Sequence, residues 1–410
     1  MNDSKRKYLP TILFLLFNLL TFVQAFIANI HCAIFACAII VVVVCADRNK
    51  LSSIRNPFFI IYFSILLLSG VAYIFNRRPI SLYFTCITYN LLPMLMYGIG
   101  GSYQEPEENN DFFRGIVIGN TFAILFALAL YAVPSLSSFF HVTGMADAGI
   151  KNGVGYRLYS YFDSLELGNI CAIGVAFIMM LNYKRKWMRP FLLLITVACL
   201  FLTMQRGSWI IGVGSLVGSF LIASKKQKRN LGEGFKTFFQ YALIAIFAVV
   251  VIYIVITRFM SDDFLRYLSM RINVFNLGSM YGDRSHQVKN GLEIFSNYPL
   301  GYGMGSVGIK AASYNLQVVP DNNIVKILVE SGLFGFIAFV FLNIHAIIRG
   351  LRAKRYACVM VVLFYLVQST GSNVIDYYYT SFIYWAVLGY LSNYIAPGEE
   401  PLRKLSMVRF

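Results

Sequence analysis

The feature that most constrains this chain is a succession of apolar stretches, each close to the length that crosses a bilayer, separated by polar breaks. About 20 apolar residues in an α-helix cover the hydrocarbon thickness. On that measure the sequence predicts spans near 8–27, 30–46, 57–75, 80–100, 114–133, 167–183, 189–204, 208–223, 237–257, 322–348, 357–373 and 380–396. Composition agrees: 58% of the 410 residues are hydrophobic and only 13% are charged, which is too apolar for a soluble enzyme. The expected fold is an all-α polytopic membrane protein of about twelve transmembrane helices. No internal repeat interrupts it, so 1–410 reads as a single integral membrane domain.

The net charge of +16 raises the question of nucleic acid. The placement of the charge argues against it. Lysines and arginines crowd short connections on one side, as in Lys5-Arg6-Lys7, Lys184-Arg185-Lys186, Lys225-Lys226 and Arg352 to Arg355. That is the pattern that orients membrane proteins, with basic loops inside. Both termini are therefore expected in the cytoplasm, with membrane lipids as partners and no nucleic acid. The first apolar stretch has no convincing cleavage site and is followed at once by another, so it reads as a span, not a signal peptide. The seven cysteines lie in or at the ends of apolar stretches without metal-ligand spacing to histidine. They predict neither a disulfide scaffold nor a metal site, and no cofactor is expected.

Two segments on the other side are long. One is 134–166. The other, 258–321, is the longest polar interval and reads as a partly helical outer cap, because apolar residues recur at helical spacing in Met260, Phe264 and Leu268 and again in Val288, Leu292 and Phe295. A Gly-rich turn from Pro299 to Gly305 follows, and then Asp321-Asn322-Asn323 at the start of the next apolar helix.

Charges beside or within spans need a reason, because an unpaired charge in hydrocarbon is expensive. Arg206, in Gln205-Arg206-Gly207-Ser208-Trp209, sits where two spans meet. Three roles are open to it: snorkelling to lipid phosphate, pairing with a carboxylate inside the bundle, or lining a cavity for an anion. Arg157 precedes a span, beside Asp163, and Arg284 lies near the start of a cap helix, beside His286. Each alone is as readily a solvated loop charge. Together, on one side, three arginines suit a phosphate, since the planar guanidinium offers two parallel hydrogen bonds. Asp321 can cap the helix that follows. Gly332 and Gly335 share a helix face and permit close packing. Lys326 and Glu330 stand four apart and can pair; an ion pair inside a span hints at a polar cavity.

The order of these motifs resembles the O-antigen polymerase and ligase superfamily of bacterial envelopes. The resemblance rests on Arg157-Leu158-Tyr159-Ser160-Tyr161-Phe162-Asp163, on Gln205-Arg206-Gly207-Ser208-Trp209, on the loop from Asp283-Arg284 to Gly305-Ser306, and on Asp321-Asn322 followed by Gly332-Leu333-Phe334-Gly335. It covers roughly 150–340. It implies a metal-independent glycosyltransferase in the bacterial inner membrane, working on the periplasmic or outer face. The donor is a glycan on undecaprenyl pyrophosphate. The acceptor is the next lipid-linked repeat unit in a polymerase, or lipid A core in a ligase, and a chain-length regulator is a further partner to consider. In the ligase pattern a histidine precedes the asparagine that is Asn322 here. This chain has Asp321, which favours a polymerase of O-antigen, capsule or exopolysaccharide.

On this reading Arg206 and Arg284, with Arg157, hold the pyrophosphate, and Asp321 takes the acceptor proton. Asp163, Glu166 and Asp283 stand behind Asp321 as bases; His286, Asp163 and Asn322 are further substrate-binding candidates. The rivals from other classes are a lipid-linked oligosaccharide flippase and a non-catalytic scaffold. The large one-sided cap and the missing repeat speak against a carrier.

Overall fold

A computed structural model describes residues 56–102, 106–133, 157–161, 164–185, 187–227, 278–316, 318–319 and 321–393, with isolated positions within 14–22 and 239–269. The described residues are helices and their connections, with no strand among them. In chain order the helices are α1 (Pro57–Leu68), α2 (Gly70–Phe75), α3 (Ile80–Cys86), α4 (Met96–Ser102), α5 (Pro106–Ala132), α6 (Ser164–Met180), α7 (Met188–Leu202), α8 (Arg206–Gln227), α9 (Gly278–Asn297), α10 (Asn323–Arg352), α11 (Tyr356–Gln368) and α12 (Tyr378–Asn393).

Among the described residues, four helical stretches are long and apolar enough to cross a membrane: Pro57–Phe75, Ile80–Gly101, Phe112–Ala132 and Asn323–Arg352. Ser164–Met180, Met188–Leu202 and Tyr356–Gln368 are shorter apolar helices. These coincide with expected spans, and α8 and α12 fall on two more. The expected spans 8–27, 30–46 and 237–257 lie outside the continuously described residues, so the full count of twelve is not established. The exposed side chains of α10 show what surrounds the helices. Phe334, Ile337, Phe341, Ile344, Ile348 and Leu351 recur every three or four residues and are all exposed. The opposite face buries Asn343 and Gly350 among apolar residues. An apolar outward stripe is the reverse of a water-soluble helix and is what a lipid environment selects. The chain is an integral membrane protein.

The chain divides into two compact units. In the first, Met1–Ile39 with Asn110–Ser285, α6 packs against α7 and α8. Polar side chains link the helices: Ser208 donates to Asn169 Oδ1 at 3.0 Å, and Trp209 Nε1 to the Leu200 carbonyl at 2.9 Å. Segment 157–161 is tied to this bundle by Leu158 N to the Leu202 carbonyl (2.9 Å) and Ser160 Oγ to the Ala123 carbonyl (3.0 Å).

The second unit, Ile40–Asn109 with His286–Phe410, is built on α10, which packs against α1, α11 and α12. Helix α12 lies flat on α4, where Gly100 and Gly389 let the backbones touch: a Cβ on Gly389 would stand 1.9 Å from the Tyr97 carbonyl oxygen. Aromatic rings pack α1 against α4 and α12, with Phe59 stacked on Tyr97 and Tyr62 on Trp385.

The Gly-rich turn expected in an outer cap is buried in this second unit. Met304, Ser306 and Val307 are fully inaccessible. The cause is a break in α10 at Gly332, whose φ of 69° and ψ of −175° are not helical. Such a break strands carbonyls that the helix would otherwise pair internally. The turn satisfies them: Tyr302 N donates to the Val329 carbonyl at 2.8 Å and Gly303 N to the Glu330 carbonyl at 3.1 Å. In return Leu333 N donates to the Pro299 carbonyl at 2.9 Å. The turn is held from its other side by Tyr73, whose hydroxyl donates to the Met304 carbonyl at 2.6 Å, and by Ser69 Oγ, which accepts from Met304 N at 3.0 Å. Close packing at Gly332, expected of a neighbouring helix, is therefore made by a loop.

Candidate functional site

Helix α10 begins with a set of polar side chains that converge in the second unit. Asn322 is its N-cap, with Oδ1 accepting from Val325 N at 3.0 Å. The capping role open to Asp321 is thus filled by its neighbour. Asn322 Nδ2 also donates to the Thr370 carbonyl at 3.3 Å, and Asn323 N to the Ser369 carbonyl at 2.8 Å. The α11–α12 connection therefore grips the start of α10. Asp321 is half-buried, and its backbone N donates to Gln287 Oε1 at 3.2 Å, on the helix that also carries Arg284 and His286.

One turn into α10, Lys326 and Glu330 pair as their spacing predicts, at 3.3 Å. The structure adds a third member: Lys326 Nζ lies 2.5 Å from Asp376 Oδ1, in the connection before α12. Lys326 and Glu330 are each 3% exposed. Ions this deep persist only when paired and hydrogen-bonded. Glu330 Oε1 meets that need by accepting from Val307 N at 3.4 Å, on the buried turn. Beside the triad is a cavity of about 30 Å³, the size of one water, bordered by Tyr62, Asn90, Asn323, Lys326, Glu330 and Asp376. Asn323 is fully buried, and neither polar atom of its side chain has a hydrogen-bond partner among the described residues.

The chemistry available here is positional. The triad ties three segments to one ammonium: α10, the Gly-rich turn through Glu330, and the α11–α12 connection through Asp376. Of these, the α11–α12 connection also holds Asn322 and Asn323 at the start of α10.

In the first unit the structure brings two expected arginines to one end of the bundle. Arg206 opens α8 after a tight turn in which Met204 has φ of 56°. Arg157 is joined to the same end by the Leu158–Leu202 hydrogen bond. Glu166, in the first turn of α6, is buried at this end too, since a Cβ on Gly168 would lie 3.0 Å from Ser208 Oγ. Arg206 and Arg157 are half-buried. Arg284 lies within α9, and His286 is exposed on the same helix. Asp163 lies outside the described residues. Val288, Leu292 and Phe295 do not form one buried stripe: Gly291 faces Val325 and Val319, while Leu292 is exposed.

Asp376 was missed by sequence reasoning. An Asp between two apolar helices reads as an ordinary loop charge, and Lys326 and Glu330 already balance each other along the helix, so nothing in the sequence points to a third group.

Residues 190–340 match a family model described as O-antigen ligase. The match spans Arg206, Arg284, Asp321, Lys326, Glu330 and Gly332; this part of the chain is similar to that family, and the match supports the resemblance to the O-antigen polymerase and ligase superfamily without distinguishing polymerase from ligase. No curated protein matches the chain.

Proposed function

We propose that this protein is a membrane glycosyltransferase that polymerises undecaprenyl-pyrophosphate-linked repeat units of O-antigen, capsule or exopolysaccharide, at the outer face of the bacterial inner membrane. The observation that carries the reading is the position of Asp321. It stands at the mouth of α10 inside the family-matched segment, relieved of capping by Asn322 and packed beside the helix that bears Arg284.

In the reaction, an acceptor sugar hydroxyl attacks the anomeric carbon of the donor glycan. The bond from that carbon to the pyrophosphate oxygen breaks, and undecaprenyl pyrophosphate leaves with the electron pair. Asp321 accepts the hydroxyl proton as attack proceeds, which suits a carboxylate within hydrogen-bond reach. Arg206, Arg157 and Arg284 bind the pyrophosphate and stabilise the charge that builds on its leaving oxygen. A single displacement inverts the anomeric centre, and the residues named need no metal.

The ligase reading, with lipid A core as acceptor, uses the same donor chemistry. Aspartate at position 321, where the ligase pattern has histidine, favours polymerisation. The test supplies purified protein in EDTA with a synthetic lipid-linked repeat unit, alone or with lipid A core. A ladder of products without lipid A core supports the polymerase. Transfer seen only when lipid A core is present replaces it with the ligase. Vectorial movement of intact lipid-linked glycan across liposomes, with no product in either mixture, replaces both with a flippase.

A further inference from the structure

The second unit carries an arginine that neither the family-matched segment nor the expected site includes. Arg78 lies in the short connection 76–79 between the stretches Pro57–Phe75 and Ile80–Gly101. Its guanidinium carbon lies over the Tyr302 ring, 4.1 Å from the ring centre, and the Tyr298 ring is centred 4.5 Å from that of Tyr302. Tyr302 is buried and fixed through its backbone to Val329, whereas Tyr298 is 39% exposed. Among the described residues no carboxylate pairs with this guanidinium. Its neighbours are the phenol rings of Tyr298 and Tyr73, and burial lowers its proton affinity without removing its charge. A guanidinium held over a ring by a cation–π contact still has N–H donors for a two-point grip on phosphate.

The surroundings say what kind of phosphate. Ile74 and Phe75, in the turn that leads into the arginine, are 72% and 81% exposed. A cation beside exposed apolar side chains at the end of membrane helices sits at headgroup depth. A ligand that satisfies both features has an anionic head and an apolar tail.

We propose that Arg78, with Tyr298 and Tyr302, forms a second site for a lipid-borne phosphate, the head group of the acceptor's polyprenyl pyrophosphate. The acceptor assignment rests on the polymerase reading above. A polymerase handles two lipid pyrophosphates at once. Arg157 and Arg206 belong to the first unit, whereas Arg78 belongs to the second, with Asp321. The exposed Tyr298 offers a face on which the first sugar stacks.

The experiment titrates full-length protein in neutral detergent with undecaprenyl pyrophosphate lacking a glycan and counts bound equivalents by native mass spectrometry. Wild type is expected to bind two. Arg78→Ala is expected to weaken one of them about tenfold or more, the cost of losing a charge-assisted hydrogen-bonded pair. Arg78→Lys, which keeps the charge and the fold, is expected to fall between, and Tyr298→Ala is expected to weaken the same equivalent. Two wild-type-affinity equivalents in Arg78→Ala overturn the proposal. Displacement of the Arg78-dependent equivalent by an equal amount of phosphatidylglycerol overturns the acceptor assignment, because the site then reads membrane headgroups. Equal displacement by inorganic pyrophosphate overturns the requirement for a lipid. Arg206→Ala reports on the functional reading separately. If it alone loses an equivalent, only this proposal fails; if Arg78→Ala alone does, the donor reading fails.

Discussion

Lys326 Nζ and Asp376 Oδ1 stand 2.5 Å apart across fifty residues of sequence, and Glu330 closes the triad one turn along α10. The pair fastens the connection before α12 to the helix that presents Asp321 and Asn322. Removing one partner of a buried pair leaves the other uncompensated, at a cost of about 3–5 kcal/mol. Lys326→Met, which leaves the Glu330 and Asp376 carboxylates without their shared cation, is therefore expected to lower the melting temperature in detergent strongly, and Asp376→Ala, which keeps the Lys326–Glu330 pair, to lower it less. Lys326→Met combined with Asp376→Leu is expected to cost much less than the sum of the single changes, because the residues share one network. Additive losses in that cycle contradict the coupling.

The break at Gly332 makes a separate prediction. A Cβ there would lie 2.3 Å from the Leu300 carbonyl carbon, at a φ that side chains avoid. Gly332→Ala is expected to undock the Gly-rich turn and lose about 1–3 kcal/mol. Hydrogen exchange at the amides of Tyr302 and Gly303 reads this directly, since both donate to α10. Unchanged protection of these amides contradicts the account of the kink.

Asn322 and Asp321 are adjacent and should fail in different ways. Asn322→Ala removes a helix cap and is expected to cost about 1 kcal/mol of stability. Asp321→Ala is expected to leave the melting temperature nearly unchanged and to remove activity. The reverse assignment of the two effects would mean that Asp321 is structural.

Arg206→Lys keeps the charge but loses the planar fork. It is expected to lower turnover, and Arg206→Ala to lower it by about a hundredfold or more, if the arginine stabilises the leaving pyrophosphate. A rise in KM with unchanged kcat would instead mark Arg206 as a residue that binds ground state and transition state alike.

Much of the scaffold was legible because membrane helices announce themselves by length and apolarity. Spans expected at 57–75, 80–100 and 322–348 coincide with helices at Pro57–Phe75, Ile80–Gly101 and Asn323–Arg352. The Lys326–Glu330 pair was legible for a similar reason, since spacing of four puts both on one face. Asp376 was not, because a tertiary partner leaves no periodic trace. Gly332 and Gly335 read as a small-residue face; the φ of 69° that makes Gly332 a break is a backbone property no spacing reveals. The turn around Gly303 read as part of the outer cap, yet it is buried because a broken helix supplies its hydrogen-bond partners. Arg78 carries no signal in the sequence beyond a basic residue between two spans, because Tyr302, the ring it lies over, is far along the chain.

The most direct test of the central claim follows product length on a gel. Purified wild type and Asp321→Ala, matched in melting temperature, are each given a defined undecaprenyl-pyrophosphate repeat unit with EDTA and no nucleotide sugar. The account predicts a ladder from wild type and none from Asp321→Ala. A ladder of equal length and rate from Asp321→Ala would contradict it.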